Sequence, residues 1–495
     1  MTDAAVRLDG ATLTVDSLVA AARGARVTLA PEGLARMRAS RAVIDRAVAA
    51  RRPVYGVTTG LGARAGAVLN EAELAAFSVQ TLRGRAQAVG APEAAEVVRA
   101  GLAVRLNTLL SGLSGASPGV AEHIVACLNA GLTPFVGSVG SVGASDLVVN
   151  ATVGLALIGE GRMLGPDGPT PAADALARAG IAPLALGPRD GLALAGHSGH
   201  SAGLAALAHA AAAAAFRAAQ DAAALSLEGF QATLAPLSPA ALGAKPLPGQ
   251  QGAAADLIAR LEGSALWAPG AGRRLQDPLS LRHVAQIHGA LHLALAQAER
   301  VIAVELNGAG DNPVVQVETD EVVPTGAYYT AELGLVCETA SRAILYVAMA
   351  QIARIARLLD TRHSGLPTFL VPERASASGF APSLKTAEAL VAEIAHAVQP
   401  PAIWPSVSAL GVEDAFTTAP VAARALLRAA GDLTRLCALE LLVGAQAVDL
   451  AGRRAALGAP MALLHDRVRA VSPPLTADRP LSSEIDRLAE AMAGR

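Results

Sequence analysis

Aromatic side chains are scarce in this chain. Phenylalanine, tyrosine and tryptophan together make up 3% of 495 residues, whereas hydrophobic residues make up 52%. The apolar surplus is therefore aliphatic, chiefly alanine, leucine and valine, and alanine and leucine are the strongest helix formers. Cysteine is almost absent. Cys127, Cys337 and Cys437 are odd in number and far apart, which leaves no disulfide framework and no metal-ligand spacing, and fits a reducing cytoplasm. Neither sign of charge dominates: the formal net charge is -2, which gives no electrostatic footprint for nucleic acid or an anionic membrane. The start, Met1-Thr2-Asp3-Ala4, lacks the charged-then-apolar order of a signal peptide. The tract Ala210 to Ala215 is bracketed by His209 and Arg217. Alanine is barely apolar, so the tract reads as a buried helix rather than a membrane span.

What is present is helical periodicity. Apolar patterning predicts helices over 31–51, 71–88, 93–111, 117–131, 147–159, 171–179, 199–228, 251–263, 280–306, 329–360, 383–398, 413–443 and 459–470. Several are longer than twenty residues, which argues for a bundle of long helices rather than a doubly wound sheet. Residues 5–30 read as a strand-and-turn entry, with Thr12-Leu13-Thr14-Val15 alternating. Loops rich in Pro, Gly, Asn and Asp fall at 52–70, 132–146, 180–198, 307–328 and 361–382. The expected fold is mainly α. An N-terminal mixed region spans 1–198, a central long-helix bundle 199–443 and a C-terminal helical segment 444–495. Long helices scaffold and loops present chemistry.

The loop Gly137-Ser138-Val139-Gly140-Ser141-Val142-Gly143-Ala144-Ser145-Asp146-Leu147 is the most informative. Its glycines permit crowded or left-handed backbone. In such a loop an Ala-Ser pair can cyclise: the amide nitrogen two residues on attacks the alanine carbonyl, and the serine loses water. The product is a methylidene-imidazolone ring, a strong electrophile made without metal or bound cofactor. A plain turn is the other reading of the same residues. In Val54-Tyr55-Gly56-Val57-Thr58-Thr59-Gly60-Leu61-Gly62, Tyr55 is the sole ionisable side chain. A phenol titrates near 10. A neighbouring cation would lower that and make Tyr55 a general base; otherwise it anchors a turn. Gln276-Asp277-Pro278-Leu279-Ser280-Leu281-Arg282 offers a planar guanidinium that matches a carboxylate, or a surface arginine. Asp311-Asn312-Pro313 is turn chemistry. Glu413, in Gly411-Val412-Glu413-Asp414-Ala415, reads on its own as a carboxylate favoured by a helix dipole.

Five segments in this order, over about residues 50–420, resemble the histidine and aromatic amino acid ammonia-lyases and the related 2,3-aminomutases. The electrophile loop is similar to that family's Gly-Ser-Val-Gly-Ala-Ser-Gly-Asp-Leu, and the Tyr55 segment to Tyr-Gly-Val-Asn-Thr-Gly-Phe-Gly. The resemblance implies that Tyr55 removes the substrate β-proton and that Arg282, beside Gln276, holds the substrate carboxylate. It implies that Asn312 supports the electrophile loop, that Tyr328 shields the ring and that Glu413 faces the substrate. The implied cofactor is 4-methylidene-imidazol-5-one (MIO), formed from Ala144, Ser145 and Asp146, with no metal. The implied partners are a small amino acid substrate and three further copies in a homotetramer with shared sites, in the cytoplasm, with neither nucleic acid nor membrane.

The chain departs from the family pattern at the site itself. The glycine after Ser145 is missing, so Asp146 follows directly, and its Cβ would crowd cyclisation. A family tyrosine is Leu279 here, and a family asparagine is Gly196, with His197 after it. The specificity segment reads Gly84-Arg85-Ala86-Gln87-Ala88-Val89-Gly90, which places Arg85 where a histidine is usual. Arg85 either meets a polar or anionic substrate group or pairs internally with Glu413. His197 and His200 have no third ligand nearby, so they read as structural rather than metal-binding. The leading expectation is a carbon-nitrogen lyase or aminomutase acting on a substrate other than plain phenylalanine or histidine. A ring-free acid-base lyase of the fumarase and aspartase type, and a catalytically silent homologue, are the alternatives.

Overall fold

Long helices dominate, as the aliphatic composition implies. The computed structural model describes residues 5–372, 376–401 and 408–494. Gly199–Phe230 and Ala419–Leu450 have 32 residues each, Ala331–Leu359 has 29 and Val284–Asn307 has 24. At the usual helical rise, 32 residues extend about 48 Å. Shorter helices at Pro31–Ala49, Glu71–Arg83, Ala95–Leu109, Pro118–Asn129 and Leu147–Leu157 also follow the apolar pattern. Strands among the described residues form two-stranded pairs. The Gly199–Phe230 helix, which contains the alanine tract, is largely buried within the protein.

The entry segment differs from its sequence reading. Val6–Leu8 pairs in parallel with Val27–Leu29, but the alternating Thr12 to Val15 stretch is not a strand. It leads into the helix Val15–Ala22. Thr14 Oγ1 accepts from the Ser17 amide at 3.2 Å, and Ser17 Oγ accepts from the Thr14 amide at 3.0 Å. This reciprocal cap satisfies two free amides at the helix start and outweighs four residues of alternation. The loop expected over 180–198 contains a short helix, Asp190–Ala195. The helix expected from residue 413 starts at Ala419.

The chain forms two compact units. The first comprises Met1–Ala210, Glu299–Cys337 and Pro401–Arg424, and the second Ala211–Ala298, Glu338–Pro400 and Ala425–Arg495. In the first unit, fully buried Asp311 lies between two fully buried arginines. Arg105 donates to both its oxygens at 2.8 and 2.9 Å, Arg189 donates at 3.0 Å and the Ser114 hydroxyl at 2.7 Å. Asp311 thereby fixes the turn before the cis Asn312-Pro313 bond.

In the second unit, buried Glu440 ties three helices together. It accepts from Arg354 at 2.6 and 3.0 Å, from Ser226 at 2.8 Å and from Gln351 at 2.9 Å. Close approach of two of these helices requires a glycine: a Cβ at Gly229 would lie 2.7 Å from the Ala447 Cβ.

Burial opposes ionisation of Asp311, but the Arg105 and Arg189 guanidiniums more than offset it and hold the carboxyl at about 2. Because the folded value lies below the unfolded one near 3.9, this contribution is complete above pH 4 or so and is lost as pH falls toward 2. Asp311→Asn leaves two buried guanidiniums short of a counter-charge and should lower stability by roughly 3–5 kcal/mol. Denaturant unfolding at neutral pH checks this.

Candidate active site

The Gly137 loop is gripped at its carbonyls. Gly143 O accepts from the Thr330 hydroxyl at 2.8 Å and the Thr417 hydroxyl at 3.0 Å. The amides of Thr417 and Thr418 donate to Val142 O at 3.1 and 3.0 Å. A Cβ at Gly143, whose φ is +78°, would lie 1.9 Å from the Thr417 hydroxyl, so only glycine fits. Ser145 is held on both sides. Its amide donates to Tyr328 O at 3.2 Å, and its carbonyl accepts from the His197 amide at 3.2 Å and the Asn150 side chain at 3.2 Å. Between these anchors, the Ala144 carbonyl and the Asp146 amide have no hydrogen-bond partner among the described residues.

Ser145 and Asp146 both have positive φ, +72° and +46°. Asp146 sits in the left-handed region at ψ 28°, a region that aspartate enters far more readily than most residues. Its backbone therefore adopts the turn despite its Cβ. Its buried carboxylate accepts from the Ser201 amide at 2.7 Å and hydroxyl at 2.6 Å, and from the Ser141 hydroxyl. The Ser201 contacts place a negative charge at the N-terminus of the Gly199–Phe230 helix, where the unpaired amides and the dipole favour it.

Tyr328 links this loop to a second group of residues. Its phenol is pushed up by burial and by neighbouring Tyr55 and Glu413. Arg85 faces the same two residues. Burial pushes its guanidinium down, and Tyr55 and Glu413 pull it the other way. The Tyr55 hydroxyl accepts from the Gly62 amide at 3.1 Å, and a Cβ on Gly62 would lie 3.9 Å from the Glu413 carboxylate. Tyr55, Arg85, Tyr328 and Glu413 therefore cluster beside Ala144-Ser145-Asp146.

Two local expectations change. Glu413 is not at a helix N-terminus; its backbone pairs with Ser408, and the helix begins six residues later. Arg85 forms no ion pair with Glu413 within 4.0 Å among the described residues. Its one side-chain hydrogen bond is to Thr81 O at 3.4 Å.

Asn312 Oδ1 accepts from the Thr325 amide at 3.0 Å and so shapes the turn before Tyr328. Gly196 is buried beside Leu192. The His197 ring accepts from the Gly199 amide at Nδ1 and donates from Nε2 to Leu194 O, which fixes it as the neutral form. Burial pushes His197 well below its ordinary range. Gln276, Leu279 and Arg282 belong to the second unit. Gln276 and Leu279 are exposed. Arg282 Nε, like Arg105 Nε, is buried without a hydrogen-bond partner among the described residues. Arg354 donates to Ser280 O at 3.2 Å and so anchors the short helix that carries Arg282.

Sequence reasoning missed Asn150 and Ser201. Asn150 Nδ2 reaches Ser145 O, Ala195 O and His197 O at 3.2, 3.3 and 2.7 Å, which brings an amide to the loop near Gly196. A lone asparagine in the apolar helix Leu147–Leu157 is the signal that marks it. Beneath the loop a cavity of about 20 Å³, lined by Arg105, Asn150, His197 and His200 among apolar side chains, has room for about one water molecule. No group of three or more His, Cys, Asp or Glu among the described residues is arranged to hold a metal.

Comparison with known proteins decides what this arrangement belongs to. A sequence profile described as "Aromatic amino acid lyase" matches residues 13–470. The chain belongs to the aromatic amino acid lyase family. It is 36% identical over 491 residues to a histidine ammonia-lyase of Gloeobacter violaceus, covering 98% of this chain and 95% of that one. Its fold matches the crystal structure of histidine ammonia-lyase from Trypanosoma cruzi with a TM-score of 0.92 at 30% identity, covering 99% and 94% of the two chains. It matches the Pantoea agglomerans phenylalanine aminomutase with a TM-score of 0.93 at 26% identity, covering 99% and 98%. This lyase therefore eliminates ammonia from an amino acid or shifts its amine.

Half-buried Glu305 lies beside the loop. Burial, then Asp146 and Glu332, push its carboxyl from 4.5 up to about 7. Between those values the folded chain binds more protons than the unfolded one, so this group lowers stability as pH rises. Glu305→Gln should flatten the decline in stability between about pH 4.5 and pH 7. Melting temperatures across that range test it, and an unchanged slope would assign the decline to other groups.

Proposed function

We propose that this lyase makes its own electrophile from Ala144, Ser145 and Asp146, and uses it to eliminate ammonia from, or move the amine of, an α-amino acid. The unbonded Ala144 carbonyl and Asp146 amide, set between firmly bonded neighbours, carry this reading. In ring closure the Asp146 nitrogen bonds to the Ala144 carbonyl carbon and that oxygen leaves as water. Ser145 then loses its Cα hydrogen and its hydroxyl as a second water. The left-handed backbone at 145 and 146 and the grip on Gly143 favour this compact turn, so the residues present fit MIO. The ring supplies a methylene carbon that takes up the substrate amine and makes it a good leaving group.

The chain's own side chains do the rest. Tyr55, held beside Arg85 and Glu413, removes the β-proton. Arg282, supported by Gln276, grips the α-carboxylate. Its planar guanidinium matches a carboxylate, and it forms no ion pair among the described residues. Glu413 faces the substrate amine, Asn312 steadies the loop and Tyr328 covers the ring. Gly196 and Leu279 leave room where the family has an amide and a hydroxyl. We read the working assembly as a cytoplasmic homotetramer with sites completed by neighbouring copies. Exposed apolar residues on the long helices, Val304 and Met349 among them, suit packing against further copies.

Intact mass decides the first step. The purified protein should be lighter than its sequence by two water molecules, and Ser145→Ala should have its full sequence mass. A full-mass wild type that still deaminates an amino acid would select the ring-free lyase, and one without activity the silent homologue. Tyr55→Phe should lower kcat by at least about 100-fold while KM changes little, because only the transition state uses the base.

A further inference from the structure

Arginines in the first unit are paired almost without exception when they leave solvent. Arg99 donates to the carbonyls of Ala21, Ala22 and Leu128. Arg105 and Arg189 share Asp311. Arg424 meets Glu93 at 2.6 Å and Ser138 O at 2.7 Å. Even exposed Arg83, two residues before Arg85, forms a two-pronged pair with Glu160. Arg85 breaks the pattern: its guanidinium is half-buried, and among the described residues its one hydrogen bond is a stretched contact with Thr81 O at 3.4 Å. Desolvating a guanidinium without acceptors is unfavourable, and the cost is recovered when an anion arrives.

What surrounds Arg85 says which part of a ligand it meets. It faces Tyr55 and Glu413, which also neighbour Tyr328, whose carbonyl accepts from the Ser145 amide of the electrophile loop at 3.2 Å. Glu413 is the nearby negative charge, but it is exposed, so solvent screens it more than it screens Arg85. The planar fork of Arg85 suits a carboxylate or another oxyanion held by two parallel hydrogen bonds.

We propose that the substrate is an amino acid whose side chain ends in an oxyanion, and that Arg85 is the residue that selects it. This substrate class rests on the lyase reading above, in which Tyr55 works at the β-carbon and Arg282 takes the α-carboxylate. Arg85 then reads the far end of the same molecule, and side chains such as those of phenylalanine and histidine leave its charge unpaired.

Binding of inert product-like acids tests the inference apart from turnover. Calorimetry would compare cinnamate with 4-carboxycinnamate, and crotonate with glutaconate, on the wild type and on Arg85→Leu and Arg85→Lys. The wild type should bind the distal-anion member of at least one pair about tenfold or more tightly, the worth of a charge-assisted hydrogen bond. Arg85→Leu should abolish that preference, and Arg85→Lys, which keeps the charge but not the fork, should retain part of it. Equal binding within both pairs, or a preference that survives in Arg85→Leu, overturns the proposal. Absence of turnover on every amino acid, with these binding preferences intact, would instead count against the lyase reading. Efficient deamination of phenylalanine or histidine by the wild type would overturn the substrate class alone.

Discussion

One carboxylate sets the geometry of the whole loop. Asp146 bonds backward to Ser141 within the loop and forward to the amide and hydroxyl of Ser201 in the first turn of a 32-residue helix. The loop and the helix are thereby registered against each other. With that end fixed, the short span from Gly143 to Asp146 must turn sharply, and it does so with left-handed residues at 143, 145 and 146. Such conformations are stable only where surrounding contacts over-determine them. Here Thr330, Thr417, Asn150 and the Tyr328 carbonyl supply those contacts. The loop is therefore strained and rigid at once, a combination suited to pre-organised covalent chemistry.

The missing glycine has a structural consequence in this light. Asp146 supplies both the carboxylate that caps the helix and the amide that ring closure would consume. The motif that this loop resembles has a glycine and an aspartate after the serine, where this chain has Asp146 alone. Aspartate is among the few residues that can fill both roles, because it tolerates the left-handed region and carries a short acceptor. Substitution at 146 would therefore disturb the loop, the helix N-terminus and the nucleophile together.

Much of the fold was legible because helical periodicity is a local property. The long helices stand where alanine- and leucine-rich stretches put them, and the Tyr55, Arg85, Tyr328 and Glu413 segments, far apart in sequence, meet in one cluster. The errors were local competitions decided by a few atoms. At Thr14 a reciprocal cap won over an alternating pattern, and at Glu413 a backbone pairing with Ser408 displaced the expected helix start. The supporting residues were hidden for a different reason. Ser201 lies 55 residues from Asp146, and Arg424 lies 331 residues from Glu93. No periodicity or motif encodes such pairs; they exist only once the helices have packed.

The distribution of arginine separates scaffold from chemistry. Where a guanidinium meets a buried carboxylate, as at Asp311 or Glu440, the pair joins distant segments through short hydrogen bonds. The charge of such a residue is already met. Arg85 and Arg282 are the opposite case: one is left with a single long contact, the other with a buried unpartnered nitrogen. Partly buried Arg41 and Arg424, by contrast, each meet a carboxylate, Asp190 and Glu93. Leaving Arg85 and Arg282 incomplete costs stability, and a bound anion supplies compensation. The incomplete hydrogen bonding of these two side chains is thus the physical ground on which we propose them for ligand recognition.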